Sequence, residues 1–194
     1  LVIDDGSKDA TYRIAKRYGA IVIKHKKNKG KGEALKTAFN YLRKVKARTC
    51  VIIDADLQFL PEESLKLLRI IKEKKANLVM GQRKWSEVPF RHRVGNFIWR
   101  IFFNLFFETN LNDTNCGFMA LDRKSIEKIK KIHGGYIIEN SIISNAIKEG
   151  LKIRNVPVKV FYNKKSSILR GIRIVFGVLI FIFLEGIKYK LNKL

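Results

Sequence analysis

The sequence is poor in the residue types that define disulfide-rich and metal-binding small proteins. It has two cysteines, Cys50 and Cys116, in 194 residues, and they form no CxxC pair. This excludes a disulfide framework and the usual zinc-site spacing, and it favours a reducing compartment. The three histidines, His25, His92 and His133, are scattered among basic residues. They form no metal-site or catalytic-triad pattern, and we interpret them as surface or packing residues.

Acidic residues are scarce relative to basic ones. Seventeen Asp and Glu against 40 Lys and Arg give a formal net charge of +23. Such a surface attracts polyanions, which include nucleic acid, anionic lipid headgroups and phosphorylated substrates, although a lysine-rich solvated surface explains it as well. No nucleic-acid recognition motif accompanies the charge, so we predict no nucleic-acid partner. The hydrophobic share of 46% excludes a disordered chain.

No basic-then-apolar stretch with a small-residue cleavage site stands at the start of the given sequence, so nothing there indicates secretion. The first five residues, LVIDD, are typical of a buried strand that ends in a polar turn, so we expect the chain to begin inside a domain. From there to Met80, short apolar runs alternate with helical patterns in the order βαβαβαβ. This order predicts an α/β fold, a Rossmann-like, mostly parallel sheet with helices on both faces.

Two later segments are strongly apolar. The run of residues 90–107 has a pattern typical of a helix with a wide aromatic face that lies on a membrane or covers the sheet. Among Arg91, Arg93 and Arg100 it places Phe97, Trp99, Phe102, Phe103, Phe106 and Phe107. Residues 174–184 are eleven apolar residues with basic flanks. As a helix they extend about 16 Å, less than the roughly 30 Å of a bilayer core. We expect an amphipathic helix in the membrane interface, with a partner-binding helix or a marginal span as alternatives.

Two carboxylates and an amide follow the apolar run that ends at Ile53. Asp54, Asp56 and Gln58 stand where ligands bind in open α/β sheets, beyond the carboxyl end of a strand. These hard oxygen donors suit Mg²⁺ or Mn²⁺ whose remaining positions are filled by substrate phosphates. An acidic turn after a strand is the alternative interpretation.

Two further turns carry groups that suit a nucleotide. Asp4 and Asp5 follow the first strand and can accept hydrogen bonds from a base or a ribose, or can simply form a turn and a helix cap. The glycines, amides and lysines of residues 28–33, NKGKGE, can cradle an anion, with Lys31 among them. Their spacing is not that of a P-loop.

Five motifs arrive in one order along the chain: VIDDGSKDAT, NKGKGEAL, DADLQ, GQR and DTNCGF. In this combination the sequence resembles glycosyltransferase family 2, which has the GT-A fold, and most of all the polyprenyl-phosphate glycosyltransferases related to dolichyl-phosphate mannosyltransferase. The resemblance covers most of residues 1–165. It implies a catalytic domain over residues 1–166 and a basic and apolar membrane-interface helix over residues 167–194. Relatives have one more strand before the first motif, so we expect an N-terminally truncated domain.

The resemblance, together with the anion-binding chemistry of Lys31, assigns roles to individual residues. The candidates for nucleotide-sugar binding are Asp4, Asp5, Lys31, Asp54 and Arg83. The candidate metal ligands are Asp54, Asp56 and Gln58. The catalytic candidates are Asp56, Arg83, Asp113 and Glu139. The candidates for acceptor phosphate binding are Arg91, Arg93, Lys164 and Lys165. The last two stand in YNKKSS, where relatives have an Arg followed by Gly-x-Ser-Lys.

The acceptor can be argued from acid–base chemistry. A sugar hydroxyl needs a general base, whereas a phosphate monoester, with a second pKa of about 6, is already an anion at neutral pH. The cationic candidates and apolar helices therefore favour a lipid phosphate. We predict an inverting, metal-dependent transferase that moves a hexose or N-acetylhexosamine from a GDP- or UDP-sugar to polyprenyl phosphate on the cytoplasmic face of the cell membrane. The alternatives are a hydroxyl acceptor, with Asp113 or Glu139 as base, and an inactive sugar-nucleotide-binding module.

Overall fold

The computed structural model describes residues 1–84, 86, 88, 90–161 and 168–193, with the backbone alone for residues 90–92 and 168–174. The strands are β1 (Val2–Asp4), β2 (Val22–Lys24), β3 (Thr49–Ile52), β4 (Leu78–Arg83), β5 (Met119–Asp122) and β6 (Ile153–Val158). The helices are α1 (Thr11–Arg17), α2 (Lys31–Lys44), α3 (Ser64–Lys72), α4 (Phe90–Phe107), α5 (Arg123–Lys128), α6 (Ile138–Lys148) and α7 (Ile168–Leu191). Short 3₁₀ turns at Pro61–Glu63 and Gly135–Ile137 precede α3 and α6.

The strands form two sheets within the described residues. β1 and β2 pair in parallel. The larger sheet has the order β3-β5-β4-β6, in which β4 and β6 are parallel and β5 runs antiparallel to both β3 and β4. The α/β architecture is therefore as predicted. The insertion of β5 between β3 and β4 was not predicted, because an apolar run indicates a strand but not its neighbours.

Alternation along the central strands divides the core into two layers. On one face of the sheet, the strands share an apolar cluster with α2, α4, α6 and α7, to which they contribute Leu78, Met80, Met119 and Leu121. On the other face, Val79 and Ala120 point into a cluster with α3. Successive side chains of a strand face opposite sides of the sheet, so strands that are apolar throughout need helices on both faces.

The C-terminal helix packs along α4 and contributes to the domain core. Val178 and Ile182 of α7 are buried in the larger cluster. The indole Nε1 of Trp99 donates to the carbonyl of Val175 over 3.2 Å, and the rings of Phe106 and Phe183 meet edge to face at 5.6 Å between centroids. The helix beyond residue 166, which the sequence assigned to a separate membrane-interface segment, thus also packs against the rest of the fold.

The outer faces of α4 and α7 expose large apolar side chains to solvent. They are Val94, Phe97, Ile101, Phe102 and Leu105 on α4 and Phe176, Ile180, Phe183, Leu184, Ile187 and Leu191 on α7. Of the helices in the described part of the chain, none has both the length and the apolar character needed to cross a bilayer.

The packing of α4 predicts different costs for two adjacent phenylalanines. Phe103 is fully buried and stacks on Phe107 with centroids 4.5 Å apart, whereas Phe102 is 42% exposed. We expect Phe103→Ala to lower the free energy of unfolding by about 3–5 kcal/mol because it leaves a cavity. Phe102→Ala should cost less than about 1 kcal/mol. Urea unfolding followed by circular dichroism measures both, and equal losses would contradict the burial assigned to this helix.

Candidate active site

One edge of the larger sheet gathers most of the predicted site residues. β3 and β4 end at this edge, and β5 begins there because it runs the opposite way, with Met119 opposite both Ile52 and Met80. Asp54 follows β3, Arg83 is the last residue of β4, and Asp113 lies in the loop that leads into β5. The fold therefore brings together side chains that are far apart in the sequence.

Lys31 joins two of the predicted acidic residues. Its Nζ lies 2.7 Å from Oδ2 of Asp54 and 3.2 Å from Oε1 of Glu139, which stands in the first turn of α6. Burial alone would lower the pKa of this ammonium group, but the carboxylates of Glu139 and Asp54 outweigh burial and raise that pKa above its ordinary value. Lys31 is the first residue of α2, and Gly30 before it has a φ of 88°, which a glycine adopts without strain.

The loop before β5 approaches this ion cluster with bare backbone. A Cβ at Gly117 would lie 3.0 Å from Nζ of Lys31, 3.2 Å from Glu139 Oε1 and 3.3 Å from Asp54 Oδ2. A Cβ there would crowd the tips of these three charged side chains, which would have to shift by a few tenths of an ångström.

Arg83 and Asp113 form a second ion pair, and it is largely buried. Nε of Arg83 donates to Oδ2 of Asp113 over 2.8 Å, Nη2 donates to Oδ1 over 2.9 Å, and the backbone N–H of Arg83 also donates to Oδ2. Oδ1 further accepts from the backbone of Asn115. The Asn155 amide holds the loop from β6, accepting from the backbone of Asn112 and donating to the carbonyl of Asp113. Both oxygens of Asp113 are thus engaged.

Asp5 holds the NKGKGE turn through its carboxylate. It accepts from the backbone N–H groups of Lys29 and Gly30, the latter over 2.7 Å, and lies 2.6 Å from Nδ1 of His25. Nε2 of the same imidazole lies 2.9 Å from Oγ1 of Thr37 on α2. Burial would raise the pKa of Asp5, but these hydrogen bonds outweigh burial and lower it.

Asp4 is buried next to this turn. Its Oδ1 accepts from the backbone N–H of Ser7 over 2.8 Å, and its Oδ2 lies 3.4 Å from Nζ of Lys24. The bond from Ser7 lowers the pKa of this carboxyl. The nucleoside contacts that the resemblance implies for Asp4 and Asp5 stay predictions.

The residues predicted to bind a metal lie in a turn directly after β3. The Asp54 side chain is 40% exposed, Asp56 is exposed and Gln58 is half-buried. Oδ1 of Asp56 accepts from the backbone N–H of Gln58, and Leu57 between them has a φ of 63°, which bends the chain. Among the residues that the structure describes, no three His, Cys, Asp or Glu side chains form a metal-binding group by themselves. Two accessible carboxylates and an amide oxygen are donors of the type that Mg²⁺ or Mn²⁺ accepts when substrate phosphates supply the remaining ligands.

The predicted acceptor-phosphate residues are placed only in part. Arg93 lies in the first turns of α4 and donates from Nε to the carbonyl of Val88 over 2.6 Å and from Nη2 to that of Ser86. It therefore holds the segment between β4 and α4. The side chain of Arg91, and Lys164 and Lys165 altogether, lie outside the described residues.

Several side chains that hold the site residues in place were not predicted from the sequence. His25 was assigned to the surface or to packing, yet it is buried between Asp5 and Thr37. Its position directly after β2, the neighbour of β1, is the signal that could have identified it. Asn140, fully buried beside Glu139, donates to the side chain of Asn115 over 2.7 Å. No local pattern indicates such pairs, because they depend on which elements become neighbours.

Comparisons with known proteins identify the family of this chain. Residues 1–130 match the family model of glycosyl transferase family 2. An uncharacterized protein of Methanocaldococcus jannaschii is 30% identical, with 92% of this chain and 79% of that protein covered. The UDP-N-acetylglucosamine–dolichyl-phosphate N-acetylglucosaminyltransferase of Methanococcus voltae is 28% identical, with 97% of this chain and 84% of that enzyme covered.

A solved structure has the same fold. Glucosyl-3-phosphoglycerate synthase from Mycobacterium tuberculosis, in complex with Mn²⁺, UDP and phosphoglyceric acid, superposes with a TM-score of 0.74 at 17% identity. The match covers 95% of this chain and 66% of that one. The predicted GT-A fold is confirmed. The family model matches two thirds of the chain, the five motifs occur in order, and the fold gathers their side chains at one edge of the sheet. The chain therefore belongs to glycosyltransferase family 2 and is a glycosyltransferase.

Proposed function

We propose that this glycosyltransferase is inverting and metal-dependent, and that it moves a hexose or N-acetylhexosamine from a GDP- or UDP-sugar to polyprenyl phosphate on the cytoplasmic face of a membrane. One observation carries the choice of acceptor: both carboxylates that could serve as a general base are bound to cations. Asp113 is held by Arg83, and Glu139 by Lys31. The name of the Methanococcus voltae relative, which specifies dolichyl phosphate, supports the same choice.

A carboxylate oxygen that already accepts hydrogen bonds from a bound cation is not free to accept a proton from a substrate hydroxyl. A hydroxyl acceptor would need one of these carboxylates to leave its partner before it could take a proton. A phosphate monoester makes no such demand, because its oxygen is already anionic at neutral pH. The paired state of both groups therefore favours a phosphate.

The donor would lie at the sheet edge where β3 ends. Asp54, Asp56 and Gln58 would hold the divalent ion, which when bound would neutralise charge on the departing nucleoside diphosphate. Lys31 stands beside Asp54 and would contribute its positive charge to the diphosphate. Asp5 and His25 would fix the turn that carries Lys31.

The reaction would be a single displacement. An oxygen of the acceptor phosphate forms the bond to the anomeric carbon while the bond from that carbon to the diphosphate breaks. The electron pair of the broken bond leaves with the nucleoside diphosphate, and the configuration inverts. No proton has to be removed from the nucleophile, and no covalent bond to the enzyme is formed.

The outer faces of α4 and α7 would contact the membrane, with residues 1–166 as the catalytic domain and residues 167–194 as the membrane-interface segment packed on it. Both faces combine exposed apolar side chains with cations, as an interfacial surface requires. The guanidinium of Arg100 lies over the ring of Phe97, and the ammonium of Lys190 over the ring of Phe106. Such cations can meet anionic headgroups while their apolar stems stay in contact with the rings.

The proposal predicts that Asp56→Ala abolishes transfer. We would incubate membranes carrying the chain with a panel of labelled UDP- and GDP-sugars, Mn²⁺ and added polyprenyl phosphate, and measure label in the solvent-extractable lipid. Label should appear with one donor and be lost with a chelator or with Asp56→Ala, because Asp56 is an exposed carboxylate of the metal set. Asp9→Ala is the matched control, since this exposed carboxylate accepts hydrogen bonds from the backbone and hydroxyl of Thr11 and should leave full activity when removed.

Activity retained by Asp56→Ala would contradict the metal assignment. Label that enters a hydroxyl acceptor but never the lipid would contradict the acceptor assignment and return the choice to a hydroxyl with Asp113 or Glu139 as base.

A second prediction concerns the buried imidazole. His25→Ala removes a hydrogen-bond partner of Asp5 and frees the turn that carries Lys31. We expect it to weaken UDP or GDP binding by about tenfold, or 1.4 kcal/mol, measured by calorimetry. His25→Gln keeps a donor for Asp5 and should recover part of the affinity. His133→Ala, at an exposed histidine, is the control. Unchanged affinity in His25→Ala would remove His25 from the nucleotide site.

The third prediction concerns the apolar faces. Replacing Leu105 of α4 and Ile180 of α7 with serine should reduce flotation of the protein with vesicles of phosphatidylcholine and phosphatidylglycerol, because both side chains are more than half exposed. The control pair is Leu65→Ser with Tyr18→Ser, large hydrophobic residues on α3 and just after α1 that are even more exposed. Equal flotation of both double variants would argue against a membrane contact through α4 and α7.

A further inference from the structure

Lys31 occupies an oxygen of a carboxylate that a metal would also need. Its ammonium lies 2.7 Å from Oδ2 of Asp54, in direct hydrogen-bond contact, and Asp54 is one of the three residues that fit a divalent ion. Two cations that share one carboxylate repel each other, and the repulsion is greatest where both are partly shielded from water. In the arrangement described, a divalent ion at Asp54 therefore competes with Lys31.

Glu139 gives the ammonium a second anchor on the same side. Its Oε1 lies 3.2 Å from Nζ of Lys31, and its side chain is 16% exposed, compared with 40% for Asp54. The backbone of Gly117 closes one side of this cluster. Glu139, the more buried carboxylate, thus reaches from α6 and holds Lys31 close to Asp54. Asp54 itself belongs to the turn after β3.

The remaining side of Lys31 is open enough for the group to move. Its side chain is 36% exposed, and it is attached at the first residue of α2, next to the backbone amides of the NKGKGE turn. A diphosphate at this helix start would offer the ammonium new oxygen partners that carry more negative charge than Asp54 does. Exchange of partners would leave Lys31 neutralised and Asp54 available.

We propose that Lys31 is an internal counter-ion that couples metal binding to nucleotide binding. In the ligand-free protein, Asp54 and Glu139 hold the ammonium and it opposes entry of a divalent ion at Asp54. When a nucleoside diphosphate binds, the ammonium moves to the phosphates and Asp54 becomes a metal ligand. The inference rests on the proposed function, since it takes the donor to be a nucleotide-sugar and Asp54 to be a metal ligand.

This exchange has a thermodynamic consequence. Mn²⁺ alone binds weakly, and a nucleoside diphosphate tightens it. By linkage, Mn²⁺ tightens the nucleotide by the same factor. Removal of the ammonium has opposite effects on the two ligands: the metal alone gains affinity, and the nucleotide loses a cation. If Lys31 only stabilised the fold or only bound phosphate, its removal would not raise the affinity for the metal alone.

The test is titration of Mn²⁺ against wild-type protein, Lys31→Gln and Lys31→Met, with free Mn²⁺ measured by electron paramagnetic resonance in the absence and presence of UDP or GDP. Lys26→Gln is the matched control, because it removes the same charge from an exposed side chain that lies near Lys31 in the sequence but outside the NKGKGE turn. We expect both Lys31 variants to bind Mn²⁺ alone about fivefold or more tightly than wild type, and to show a smaller gain on adding nucleotide, as is typical of coupled sites. The control should match wild type. Circular dichroism confirms that each variant is folded.

The outcomes separate this inference from the proposed function. If wild type binds Mn²⁺ as tightly alone as with nucleotide, or if the Lys31 variants bind Mn²⁺ alone no better than wild type, the counter-ion role is overturned while the metal-dependent function stands. If Lys26→Gln gains as much as the Lys31 variants, the effect is general electrostatics and the role is likewise overturned. If neither wild type nor any variant binds Mn²⁺ even with nucleotide, both the inference and the metal assignment fail.

Discussion

The site depends on one constraint, the hydrogen-bonded placement of β5 between β3 and β4. Because β5 is antiparallel to both neighbours, the loop before it is delivered to the edge where they end. Asp113 thereby reaches Arg83, and Gly117 comes against the cluster around Lys31. The ion pair of Arg83 with Asp113 is a consequence of this ladder. It joins two groups that lie 30 residues apart in the chain.

Several charges at the centre of the site are paired, although the chain as a whole carries +23. The pairs are Lys31 with Asp54 and Glu139, and Arg83 with Asp113. Removing one partner of a buried pair is costly because the other charge is left unsatisfied. A charged ligand that replaces the lost partner avoids this cost. Binding at such a site therefore proceeds by exchange of partners, and the exchange makes the affinity for one ligand depend on the presence of another.

Much of the architecture could be predicted because local patterns specify it. The alternation of apolar runs and helical periods gave the α/β class, and the position of Asp54 directly after a strand placed it at the ligand-binding edge. The partners of these residues could not be predicted in the same way. The contact of Asp5 with His25 and the position of β5 between β3 and β4 follow from long-range pairing. The periodicity of the sequence carries no information about such pairing. The apolar period of α7 likewise indicated an amphipathic helix but not that Val178 and Ile182 would enter the core.

α4 connects the catalytic edge with the exposed apolar surface. Near its start, Arg93 holds the segment that follows β4, and Asn96 meets Asn115 in the loop of Asp113. The helix then continues for the rest of its 18 residues, about 27 Å in all, into the part that exposes Phe102 and Leu105. One element thus has polar contacts at the site and apolar side chains farther along. An acceptor with a phosphate head and a hydrocarbon tail has the same polarity. A freely diffusing sugar acceptor gives no reason for apolar side chains to face water, where their exposure is unfavourable. The proposed lipid acceptor accounts for both ends of the helix at once.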